Sequence, residues 1–195
     1  MILFAKIISW FASPPVILLT TPFLLVDSVA KNDIYALKWT AFSFVFVCIV
    51  VLFVAVGVFF GIFSNMAISN RKQRPIVFLF STILLAIYSI CVIILNGPKI
   101  LLFASLFMAF CFVILDLINI KIKASIHIAA VSSFIFLFSL AYGAIFLLLS
   151  VPLVFLIGWS RLKLKRHTKS EVLLGGFLGV IMTIVFYIAS KQFLG

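Results

Sequence analysis

The stretch "ALKWTAFSFVFVCIVVLFVAVGVFFGIF", residues 36–63, decides the fold. No charged side chain falls between Lys38 and Arg71. Such a run exceeds the ~20 residues that a helix needs to cross the hydrocarbon core of a bilayer. In lipid every backbone N–H and C=O must bond within its own segment, so a continuous apolar run must be helical. Five further runs follow, at about 75–95, 98–119, 125–142, 143–160 and 171–191. None has the short alternating segments of a membrane barrel. The expectation is an all-α integral membrane protein, with a six-helix bundle over 35–195 and an apolar segment over 1–34.

Composition agrees. The chain has 195 residues, 66% of them hydrophobic and 10% charged, against about half and a quarter in a soluble domain. The net charge of +11 does not point to nucleic acid. The basic residues gather in short loops beside the spans, where topology and anionic headgroups account for them. Cys48, Cys91 and Cys111 lie inside apolar runs, without the spacing of a metal site or disulfide framework.

The first 34 residues are apolar but interrupted by Pro14, Pro15 and Pro22. They fit an interfacial helix, a re-entrant segment or a kinked seventh span. A cleaved signal fits poorly, because the prolines fall within the apolar region and Lys6 is the only early charge.

Spans alternate in direction, so the loops after the first, third and fifth share one face. Those loops carry Arg71, Lys72, Arg74, Lys121, Lys123, Arg161, Lys163, Lys165, Arg166 and Lys169, ten of the fifteen basic residues. The opposite face has Lys31, Lys38, Lys99 and Lys191. The excess places the rich face in the cytoplasm, with the cell (inner) membrane as the expected location. Both histidines, His127 and His167, belong to the rich face, as does Glu171, the only glutamate.

Arginine and lysine at a membrane surface suit phosphate, which arginine grips bidentately. Two histidines beside them can divide the cleavage of a phosphate ester, one attacking phosphorus and one protonating the leaving oxygen. A carboxylate beside the nucleophile would fix its tautomer. Each residue also has a plainer explanation. Thr168-Lys169-Ser170-Glu171 reads as a capping box opening the last helix. Ser125 reads as a helix N-cap. His127 reads as a polar group at the interface, and Lys163, Lys165, Arg166 and Lys169 as headgroup contacts. Asp116 reads as a partner for Lys121 or Lys123. "LLGGFLG" at 173–179 allows close helix packing.

Within "SRLKLKRHTKSE", residues 160–171, Ser-Arg is followed by five residues, His, three residues and Glu. This resembles the third signature, Ser-Arg-x5-His-x3-Asp, of the type 2 phosphatidic acid phosphatase superfamily. Ser125-Ile126-His127 resembles the second, Pro-Ser-Gly-His, and Arg74-Pro75 the end of the first, Lys-x6-Arg-Pro. The likeness covers about 64–191. It implies that His167 is the nucleophile, Glu171 its orienting carboxylate and His127 the general acid. It also implies that Arg74, Ser125 and Arg161 hold phosphate and that no cofactor or metal is needed. The chain departs at Ala67, where the family has lysine, and at Ala124 and Ile126, where it has proline and glycine. Lys72 or Arg71 could supply the missing lysine's charge. The implied activity is hydrolysis of a lipid phosphomonoester or pyrophosphate, of the phosphatidate, phosphatidylglycerol phosphate or polyprenyl pyrophosphate type. The partners are then that lipid phosphate and the surrounding lipids, not nucleic acid. The departures also fit a non-catalytic relative that binds or moves anionic lipids.

Overall fold

A computed structural model describes residues 1–194. They form α1 (Ile2–Phe11), α2 (Pro14–Ala30), α3 (Asp33–Phe59), a 3-10 turn (Arg71–Gln73), α4 (Arg74–Ile94), α5 (Lys99–Lys121), α6 (Ile126–Tyr142), α7 (Ala144–Lys163) and α8 (Lys169–Leu194). Among the described residues there is no strand. Among the described residues six segments are long and apolar enough to cross a membrane: Ile2–Ala30, α3, α4, α5, α7 and α8. The molecule is an all-α integral membrane protein. α6, expected as a full span, has 17 residues, about 25 Å at the helical rise and the lower end of a crossing length. The N-terminal segment is two helices joined at Ala12–Ser13. Pro22 lies inside α2 without ending it.

Helix ends follow the local chemistry. Pro75 occupies the first turn of α4, where a missing N–H costs nothing. At the other end of α4, Asn96 is left-handed (φ 50°). Its N–H bonds to Ile93 O, and that of Gly97 to Val92 O at 2.8 Å. This is a Schellman stop, followed by Pro98. Gly143, at φ 106° and ψ 157°, ends α6 and opens α7. Only glycine adopts that conformation readily, so the reversal is tight.

The chain divides into two compact units. The first joins Met1–Thr21 to Ile122–Phe193 and holds α1, α6, α7 and most of α8; the second is Pro22–Lys121, with α3, α4 and α5. The core of the first unit is Ala12, Ile128, Val131, Ile135 and Ile157. Thus α1 is integral to a packed unit rather than an appendage. In the second unit, Ser43 and Tyr88 hydroxyls bond at 2.8 Å and Ser89 and Ser105 at 2.7 Å. Large apolar side chains such as Leu79, Leu148, Leu149 and Phe155 face outward. Polar-in, apolar-out packing is how helices associate in lipid, where hydroxyls bond across helices.

Candidate functional site

The first unit gathers most of the expected residues. α7 ends at Lys163, and the chain turns at Lys165, which is left-handed (φ 53°). Lys165 N–H bonds to Leu162 O and Arg166 N–H to Arg161 O. The turn is a second Schellman motif, with lysine where glycine is usual. It accounts for the spacing within residues 160–171, because one stop motif links Arg161, in the last turn of α7, to Arg166, beside His167.

His167 is buried, and its Nδ1 lies 2.8 Å from Glu171 Oε2. The same oxygen accepts the Thr168 N–H at 3.3 Å, while Thr168 Oγ1 accepts the Glu171 N–H at 3.4 Å. This is the reciprocal pattern of a capping box. Glu171 therefore serves both the imidazole and the helix cap.

Arg161 is 2% exposed. Its Nη1 donates to Ser9 Oγ on α1 at 2.6 Å. The adjoining Ser160 hydroxyl donates to Ala5 O at 2.6 Å. Ala5 and Ser9 stand four residues apart, on one face of α1. This pair was not anticipated from the sequence. Its only trace there is two small residues at helical spacing within an apolar run.

The stretch around Ser125 is tied to residues 160–171 through backbone. Ser125 N–H donates to Glu171 O at 3.1 Å, and Lys123 Nζ donates to Arg166 O at 3.0 Å. α6 and α8 meet along small residues. A Cβ on Gly175 would fall 2.5 Å from Ser125 O, and one on Gly179 would collide with Ala129 O. Ser133 Oγ donates to Gly179 O, and Thr183 Oγ1 to Ser133 O. Ser125, at the start of α6, is therefore held against the start of α8, where Glu171 sits; His127, two residues on, lies off the face that carries Ser125, Ala129 and Ser133. Ser125 occupies the N-cap position, but its side chain makes no capping bond. Its hydroxyl is fully buried without a hydrogen-bond partner among the described residues. The simple capping role is excluded, and a buried hydroxyl left so costs about 1–3 kcal/mol.

Arg74 and Lys72 belong to the second unit. Arg74 is 4% exposed; its Nε donates to Ile68 O at 3.3 Å and its Nη1 to Asn119 Oδ1 at 3.5 Å. Asn119 Nδ2 donates to Arg71 O, and Arg71 Nη1 to Lys121 O. Ile68 is left-handed (φ 43°), an unfavourable state for a β-branched residue. Burial with Val54 and Phe63 offsets it. Lys72 is exposed. Asp116 does not pair with Lys121 or Lys123 as expected: its Oδ1 is buried without a hydrogen-bond partner. Lys121, five residues on, is outside the i+3 and i+4 positions that face Asp116 along the helix, and Lys123 Nζ donates to Arg166 O.

Among the described residues no group of three His, Cys, Asp or Glu side chains could hold a metal. No family model, curated protein or solved structure matches the chain.

Proposed function

We propose that this protein is a membrane-embedded lipid phosphatase acting through a phosphohistidine on His167. The observation that carries this is the contact between His167 Nδ1 and Glu171 Oε2 in a unit that also buries Arg161 and the unpartnered Ser125 hydroxyl. A carboxylate only accepts, so Nδ1 bears the proton and Nε2 is the attacking nitrogen. Nε2 forms a bond to phosphorus as the ester P–O bond breaks. The electron pair leaves on the lipid oxygen, and His127 protonates it. Water then attacks phosphorus, the P–N bond breaks and His127 takes up the water proton. Arg161 and Ser125 offset charge on the transferred group. The substrate is a phosphomonoester or pyrophosphate whose tail stays in the bilayer. Ten basic residues against four support a site facing the cytoplasm from the cell membrane.

Ala67, Ala124 and Ile126, at the departures from the family pattern, favour a second reading, a non-catalytic protein that binds the same lipids. Purified protein presented with phosphatidate, phosphatidylglycerol phosphate and polyprenyl pyrophosphate separates the two. Release of phosphate from at least one lipid, abolished by His167→Ala, is the expected result. Equal release by wild type and His167→Ala refutes the histidine mechanism. Saturable binding without release supports the second reading.

A further inference from the structure

A cavity of about 210 Å³ in the second unit is lined by Arg71, Lys72, Pro75, Asp116, Asn119 and Ile120. It lies where the first turn of α4 meets the last turns of α5. We propose that it binds a phospholipid headgroup carrying both a phosphate and a primary ammonium, as in phosphatidylethanolamine.

Three observations lead there. First, Asp116 is an acidic side chain inside the apolar helix α5, unlike Glu171, which lies in the first turn of α8. Ionisable groups at such depth are costly and rarely kept without a role. It also stands five residues before the C-terminus of α5, the end whose dipole disfavours a carboxylate. Second, its Oδ1 is buried without a hydrogen-bond partner, although two cations line the same cavity. Arg71 is turned to Lys121 O, and Asn119 is committed to Arg74 and to Arg71 O. No lining side chain donates to Asp116 Oδ1, and Lys72 stays at the exposed rim, so an N–H donor carried by a ligand would complete the carboxylate. Third, Arg71 and Lys72 are exposed, at a rim where a phosphate would meet them. A group with an N–H donor at one end and anionic oxygens at the other satisfies both sets. Size permits it: the cavity of about 210 Å³ has room for about seven waters at ~30 Å³ each, and the bonded heavy atoms of a phosphoethanolamine group need less. Pro75 and Ile120 supply apolar walls for the start of the glycerol and acyl chains.

The occupant is distinguished by N–H donors. Phosphatidylethanolamine donates to Asp116, phosphatidylcholine is fully methylated and cannot, and phosphatidylglycerol has no amine. The full-length protein in detergent micelles is titrated with short-chain forms of each, alongside soluble phosphoethanolamine. Wild type is expected to prefer phosphatidylethanolamine over phosphatidylcholine by roughly tenfold or more, the worth of one charge-assisted hydrogen bond. Asp116→Asn should erase that preference, and Arg71→Gln should weaken all three lipids together. Competition by soluble phosphoethanolamine would show that the headgroup alone is recognised; lack of it would show that the lipid is required, and either supports the site. Equal binding of the two lipids by wild type overturns the proposal. So does a full preference retained in Asp116→Asn. If Asp116 merely balances Arg71 and Lys72, its substitution lowers the melting temperature while leaving lipid preference unchanged, which also overturns it. Loss of phosphatase activity plays no part in these outcomes, so this site and His167 stand or fall separately.

Discussion

Glu171 Oε2 meets both His167 Nδ1 and the Thr168 N–H, and the two roles can be separated by substitution. Thr168→Ala removes the reciprocal cap but keeps the carboxylate. It should cost about 1 kcal/mol of stability and leave most of the activity. Glu171→Gln keeps an acceptor for the cap but loses the charge that stabilises an imidazolium. It should leave the melting temperature nearly unchanged while turnover falls about 10²-fold or more, the scale of a lost acid–base contribution. Thermal melts and phosphate release on the same preparations check both. Ser9 makes a different prediction. Its hydroxyl holds the buried Arg161 guanidinium at 2.6 Å, and bonds to charged groups are worth about 1.5–3 kcal/mol. Ser9→Ala should lower stability on that scale, and Ser9→Thr should restore much of it. The sequence exposed Glu171 and its two possible partners, because capping boxes and histidine spacing are local. It could not expose Ser9, whose partner lies 152 residues away and whose bond depends on how α1 packs.

At the scale of elements, the stop after α7 and the seam between α6 and α8 fix the geometry of the site. Lys165 takes a left-handed conformation that costs a non-glycine residue roughly 1 kcal/mol. Lys165→Gly should therefore stabilise the protein by up to about that amount, read as a rise in melting temperature. The seam is less tolerant. A methyl on Gly175 would press on Ser125 O at 2.5 Å, and overpacking typically costs about 1–3 kcal/mol. Gly175→Ala should destabilise by that amount and also shift Ser125 and His127 relative to Glu171. Activity should then fall more steeply than in a variant of equal stability loss far from the seam. The glycines were legible as a packing motif, but which backbone they admit was not. Periodicity marks a face and does not name its partner. Ser125 shows the opposite failure, since an N-cap position predicted a capping bond that the side chain does not make.

For the whole molecule, apolar runs reported the helices well. Each of the six expected spans is a helix, because in lipid a long run without charge has no other satisfied conformation. The N-terminal prolines concealed more. Pro14 and Pro15 mark where α1 stops and α2 starts, yet Pro22 sits within α2, and whether a proline ends a helix or is absorbed depends on its neighbours. Nor did the sequence reveal that α1 packs with the last three helices rather than standing apart. Sidedness is tested by Lys163→Cys in a background lacking the native cysteines. It should react with a thiol reagent that reaches the cytoplasm and resist an impermeant one added outside intact cells. The central claim is that phosphate passes through His167, and trapping it there is the most direct test. Brief exposure to a lipid labelled in its phosphate, followed by alkaline quench, should leave acid-labile, base-stable label on the wild-type chain and none on His167→Ala. Turnover of the lipid with no label on His167 would contradict the account.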